Sequence, residues 1–103
     1  MCCMELKIRK YDLEAIKSIF SDIDSLRVTG SALKGARAMG FNRQDIVDAI
    51  QALERDDFVK SMTTYNDHKV WQDVYNLSFR GFVIYIKFQL DDQGHFVISF
   101  KEK

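Results

Sequence analysis

The chain is 103 residues long, 47% apolar and 29% charged, with 15 basic and 15 acidic side chains and a formal net charge of zero. That length suits one domain over residues 1–103, and the mixture is globular rather than disordered. Balanced charge excludes attachment to nucleic acid through bulk electrostatics, so any such site must come from a few well-placed cations.

Cys2 and Cys3 are the two cysteines, adjacent at the start of the chain. Neighbouring cysteines rarely bridge each other, and two ligands do not make a zinc site. Reduced thiols and a chain without metal or cofactor are the expectation. No apolar run reaches the length of a membrane span or of a signal h-region, which points to the cytoplasm and away from the membrane.

Met4–Asp12 alternates weakly, as a short strand or an ordered tail would. Asp12 can N-cap a helix in which Leu13, Ile16, Ile19 and Phe20 recur at helical spacing. SDIDS breaks that pattern, and Leu26–Gly30 reads as a short strand or extended connector. Ser31 is the N-cap expected for a second helix, with Ala32, Leu33, Ala36 and Met39 on one side and Gly40 as its left-handed terminator. Asn42 caps a third helix, Asp45 favours its positive dipole end, and Ile46, Val47, Ile50 and Leu53 form its apolar stripe.

From Phe58 the period shifts towards two. FVKSMTTY and KVWQDVY read as strands around the turn-forming cluster NDH, although their polar residues break clean alternation. GFVIYIKFQL and HFVISFK are the strongest strands, joined by DDQG. Helices first, then a meander of about four antiparallel strands, indicates an α+β fold with helices packed on one sheet face.

The last hairpin fixes a register. A three-residue loop Asp92-Gln93-Gly94, with the glycine left-handed in a bulge, pairs Asp91 with His95. Counting inward sets Leu90 opposite Phe96, Phe88 opposite Ile98 and Ile86 opposite Phe100. The same count places Tyr85 opposite Lys101 on the outer face, roughly 5 Å apart at Cβ. Trp71 reads as a packing residue, and His68 and His95 fall in turn contexts.

No Gly-rich phosphate loop, HExxH helix, nucleophile elbow or zinc-ribbon spacing occurs. Chemistry that can run on Lys, Tyr and Gln is narrower. Cleavage of RNA is one case, because the substrate supplies its own nucleophile, the 2′-hydroxyl.

FVKSMTTYNDHKVWQDVY and the terminal VISFKEK closely resemble the motility quorum-sensing regulator (MqsR) toxin family. The resemblance extends more weakly through RVTGSALKGARAMGF and covers most of the chain from about Leu13. It implies a RelE-like α+β fold and an mRNA interferase, an endoribonuclease of a type II toxin–antitoxin pair that cuts at GC-containing sites such as GCU. It implies as partner an antitoxin with zinc-binding and helix-turn-helix domains, which leaves DNA binding to the antitoxin rather than to this chain. The matching positions make Lys60, Gln72, Tyr85 and Lys101 the catalytic candidates. Lys60 and Lys101 would hold the scissile phosphate, Gln72 would orient it or a base edge, and Tyr85 would hydrogen-bond phosphate, aid proton transfer or stack on a base. His68, whose ordinary pKa suits neutral pH, is the reserve acid–base group. Together with Lys87 and Arg80 it is a further substrate-binding candidate. NLSFRGF matches no family signature and reads as a connector.

Two rival readings remain at this point. Residues 32–53 have the outline of a helix-turn-helix in a DNA-binding regulator, although Asp45 and Asp48 on its second helix would repel phosphate. A partner-binding relative that has lost activity is the other, and retention of Lys60, Gln72, Tyr85 and Lys101 argues against it.

Overall fold

In the computed structural model, residues 5–63 and 70–103 are described. The turn expected at Asn66–His68 lies outside them, as do Cys2 and Cys3. Strand β1 spans Glu5–Leu6, followed by helices α1 (Leu13–Ile19), α2 (Gly30–Ala38) and α3 (Arg43–Ala52). Four longer strands complete the order: β2 (Phe58–Thr63), β3 (Trp71–Phe79), β4 (Phe82–Leu90) and β5 (Phe96–Glu102). Among the described residues, five strands form one antiparallel sheet in sequence order, in which β2 to β5 are the expected meander of four and β1 takes the strand alternative for Met4–Asp12. The α+β arrangement of N-terminal helices and a mostly C-terminal sheet is the one expected.

The helices begin where side-chain oxygens can satisfy their orphan N–H groups. The Asp12 carboxylate accepts from Glu14 N at the start of α1. At α3, Asn42 and Asp45 form a reciprocal capping box, with each side chain accepting from the other's backbone N–H at 2.9 and 2.8 Å. Helix α2 starts two residues earlier than expected. Thr29, not Ser31, is its N-cap, and Thr29 Oγ1 accepts from Ala32 N at 3.0 Å. The first helical N–H has no intrahelical partner in any case, so Gly30 serves as the first residue and Ser31 falls within the first turn.

The apolar stripes of all three helices meet the sheet in one core. Leu13, Ile16, Ile46, Ile50, Ile84, Ile86, Phe88 and Ile98 are completely buried there. Ile19, counted in the stripe of α1, is instead 45% exposed at the helix end. The connector before α2 lies along β5. Val28 bridges to Ile98 in parallel, Thr29 N donates to Ile98 O, and Ile98 N donates to Arg27 O. Helix α2 then packs on β5 so closely that a Cβ on Gly35 would stand 2.6 Å from Phe100 O and 3.2 Å from Lys101 Cα.

The terminal hairpin has the register counted from sequence. Leu90–Phe96, Phe88–Ile98, Ile86–Phe100 and Tyr85–Lys101 are partners, Asp91 N donates to His95 O, and Gly94 has φ +79°. The NLSF segment is not a connector. It continues β3 to Phe79, which pairs with Phe82 across the two-residue turn Arg80-Gly81, both with positive φ as a tight hairpin requires.

The broken alternation of β2 has a specific cause. Phe58 pairs with Tyr75 while Lys60 pairs with Val74, so Val59 is an extra residue in a β-bulge. Without it, Phe58 and Lys60 would share a face. With it, Phe58 packs edge-on against Tyr75 in the core, ring centroids 5.6 Å apart, while Lys60 takes the opposite face.

Candidate functional site

Antiparallel registers across β2 to β5 settle which groups share the face turned away from the core. Phe88, Ile86 and Ile84 point inward on β4, so Tyr85, Lys87 and Gln89 point outward. Pairing then adds Lys101 and Ser99 from β5, Val74, Asn76 and Gln72 from β3, and Lys60 from β2. One row runs Lys60–Val74–Lys87–Ser99, and the next runs Asn76–Tyr85–Lys101.

Lys60, Tyr85 and Lys101, brought from three strands, line one open cleft of about 400 Å³ with Val59, Val74 and Asn76. The ammonium groups of Lys87 and Lys101 each lie 5.7 Å from the centroid of the Tyr85 ring. Burial, and secondarily the charge of Lys101, pushes the Lys87 ammonium below its ordinary pKa. Gln72 sits one row further along the same face, where its Nε2 donates to Gln89 Oε1 at 2.6 Å. The arrangement therefore offers several cations, a phenol and a held amide on one face of the sheet. It can bind an anion and donate hydrogen bonds to it.

Glu5 on β1 reaches over this face, its carboxylate 2.5 Å from Lys60 Nζ. The hydrogen bond from Lys60, reinforced by the lysine's charge, holds the Glu5 carboxyl below its ordinary pKa.

Of the other sequence candidates, Lys87 joins this surface and His68 lies outside the described residues. Arg80 is not brought to the group. At the β3–β4 turn its guanidinium binds Asp45 at 2.5 Å and Asp48 at 3.2 Å, and it lies 4.7 Å from the Phe79 ring centroid. Those contacts bear on the helix-turn-helix outline too. Asp45 and Asp48 are engaged with Arg80, Gln44 with Asp48, and Arg43 with Leu26 O. The polar groups that a recognition helix would offer to bases are thus spent within the protein.

Sequence reasoning missed three residues that support the surface. Asp73 is completely buried on the core side of β3, where its carboxylate accepts from Lys10 N, Tyr11 N and Ser61 Oγ. It ties the segment before α1 to the strands that carry Lys60 and Gln72. A period-two count back from Tyr75 and Leu77 would have placed it inward. Gln89, which holds Gln72, was legible as outward-facing, but its partner required the β3–β4 register. Glu5 had no local signal.

Among the described residues, no three His, Cys, Asp or Glu side chains gather as metal ligands, and no helix is long and apolar enough to cross a membrane. The family model described as motility quorum-sensing regulator, toxin of MqsA, matches residues 9–102. The chain is also 35% identical, over 100 residues, to the mRNA interferase toxin MqsR of Escherichia coli strain K12, an alignment covering 97% of this chain and 100% of that protein.

Proposed function

This chain belongs to the motility quorum-sensing regulator family, toxins of MqsA, and on that premise we propose that it is the toxin of a type II toxin–antitoxin pair, an endoribonuclease that cleaves mRNA. The observation that carries this reading is the cleft where Lys60, Tyr85 and Lys101 converge from three strands on the side of the sheet away from the core. A phosphodiester entering it meets cations and a phenol hydroxyl together.

The reaction on this reading is attack of the RNA 2′-hydroxyl on the adjacent phosphorus. The 2′-oxygen–phosphorus bond forms, the bond to the 5′-oxygen breaks, and a cyclic phosphate and a 5′-hydroxyl remain. Charge grows on the non-bridging oxygens in the transition state, and fixed cations stabilise it most there. Lys101 and Lys60 supply that charge. Tyr85, with two ammonium groups beside its ring, acts through its hydroxyl, which hydrogen-bonds phosphate or relays a proton, rather than as a stacking platform. Gln72, steadied by Gln89, orients the phosphate or a base edge. The proton leaving the 2′-oxygen goes to a base and the 5′-oxygen receives one from an acid, a pair of tasks for which His68 is the reserve group. No metal takes part. Cutting falls at GC-containing sites such as GCU, and the partner is an antitoxin with zinc-binding and helix-turn-helix domains, as the family resemblance implies.

The test incubates the purified chain with a defined mRNA in the presence of a chelator and maps the cuts, with duplex DNA in parallel. Clustered cuts at GC-containing sites are expected, and Lys101→Ala should lower the rate by about 10²-fold or more. An intact RNA with shifted duplex DNA would instead establish the regulator. An intact RNA with no shift would establish the inactive relative. Wild-type rates from Lys101→Ala would remove that lysine from its phosphate role.

A further inference from the structure

A second cleft, of about 210 Å³, adjoins the first. Tyr85 and Lys101 line both, so the phenol stands between them. The second cleft adds Lys87, Ser99 and Ser31, the last from the first turn of α2. Lys60 and Lys87 occupy the same cross-strand row, with β3 between their strands, so they lie on the order of 10 Å apart at the backbone.

Charge distinguishes the two clefts. In the first, the Glu5 carboxylate already answers Lys60. In the second, no carboxylate among the described residues pairs with Lys87 or Lys101. Two like charges therefore share the surroundings of one aromatic ring, and one of them is half-buried. An anion seated there would relieve their repulsion, and the hydroxyls of Ser31 and Ser99 can donate to its oxygens. The start of α2 adds the positive end of a helix dipole.

Resting on the reading of this surface as an RNA site, we propose that Lys87, Ser99 and Ser31 form a second phosphate subsite, so that single-stranded RNA is gripped by two successive phosphates on either side of Tyr85. One nucleotide step separates the phosphates, which suits the step of about 7 Å between Tyr85 and Lys87 along β4. The first cleft holds the phosphate that reacts. The second holds its neighbour, which fixes the direction of the strand and makes a dinucleotide a poorer ligand than a trinucleotide.

The test uses the full chain and two non-cleavable 2′-O-methyl oligonucleotides, a dinucleotide with one phosphate and a trinucleotide with two, titrated by fluorescence anisotropy. Wild type should bind the trinucleotide about tenfold more tightly, the effect of one charge-assisted contact. Lys87→Gln should erase that difference, weakening trinucleotide binding about tenfold more than dinucleotide binding. Lys87→Arg should restore much of it. The salt dependence of trinucleotide binding should lose about 0.7 from its logarithmic slope in Lys87→Gln. Equal weakening of both ligands would put Lys87 at the reacting phosphate and overturn the subsite. An undiminished trinucleotide preference in Lys87→Gln would overturn it too. If wild type bound neither ligand, the RNA reading would fall and the subsite with it. A melting curve of Lys87→Gln that matches wild type separates these outcomes from misfolding.

Discussion

The two halves of the sheet bring polar groups to the same face by different means. On β4 and β5 alternation is regular. Ile84, Ile86, Phe88, Ile98 and Phe100 face the core, the residues between them face out, and Tyr85 meets Lys101 because the hairpin turn at Gly94 permits one register. On β2 and β3 regularity is broken twice. An extra Val59 turns Lys60 outward while Phe58 stays inside, and a buried carboxylate at Asp73 occupies a core position. Regular pleating is sufficient to present a side chain where both strands are strongly amphipathic. Where they are not, the face is set by a bulge and by polar contacts that must all be satisfied together.

The largest test of that contrast is removal of Asp73. Asp73→Ala deletes the acceptor for two backbone N–H groups and the Ser61 hydroxyl. It should cost about 3 kcal/mol of stability, since buried donors left unpaired carry their full desolvation penalty. Urea unfolding measures this. A loss below about 1 kcal/mol would mean that the irregular half does not depend on its carboxylate.

The next effect falls on the regular half. A Cβ at Gly35 meets the backbone of Phe100 and Lys101, which cannot yield as a side chain would. Gly35→Ala should destabilise by about 2 kcal/mol and, because the displaced strand carries Lys101, should also slow RNA cleavage. Gly30→Ala is the matched control, as a Cβ there meets nothing within 4 Å. Equal thermal shifts for the two variants would contradict close packing of α2 as the support of Lys101.

The smallest effect is at the edge. Glu5→Gln removes the carboxylate beside Lys60 and should tighten RNA binding about twofold, as an exposed pair allows. The sign of its pH dependence follows from the lowered carboxyl. The contact is fully present above the ordinary carboxylate range and is lost as pH falls through the lowered value. Amide exchange in β1 should therefore quicken in acid for the wild type, and the Gln variant should lack that acid-dependent change. An identical acid response in both would detach β1 from the Glu5–Lys60 contact.

What could be read in advance follows the same division. Asn42 with Asp45 three residues on identified α3, because capping geometry is local. The Tyr85–Lys101 pairing was legible because Gly94 marks a short loop and both flanking strands alternate. The start of α2 was misplaced by two residues because Thr29, Gly30 and Ser31 offer competing starts, and the choice rests on the path of the connector along β5. NLSF reads as a connector in sequence because its strand character depends on pairing with β4, and Arg80 reads as one of the site's cations because no local signal ties it to Asp45 and Asp48.

The sequence by itself determined the order of helices and strands, the α+β class, the inward face of the last hairpin and the identity of the cations and the phenol on its outer face. These follow from periodicity, caps and turn residues, which act over a few positions. Only the tertiary structure decided that Lys60 shares a cleft with Tyr85 and Lys101, that Glu5 pairs with Lys60, and that Lys87 lines a second cleft beside the first. Those depend on a one-residue bulge and on pairing across four strands, and a single slip in register would send each side chain to the other face.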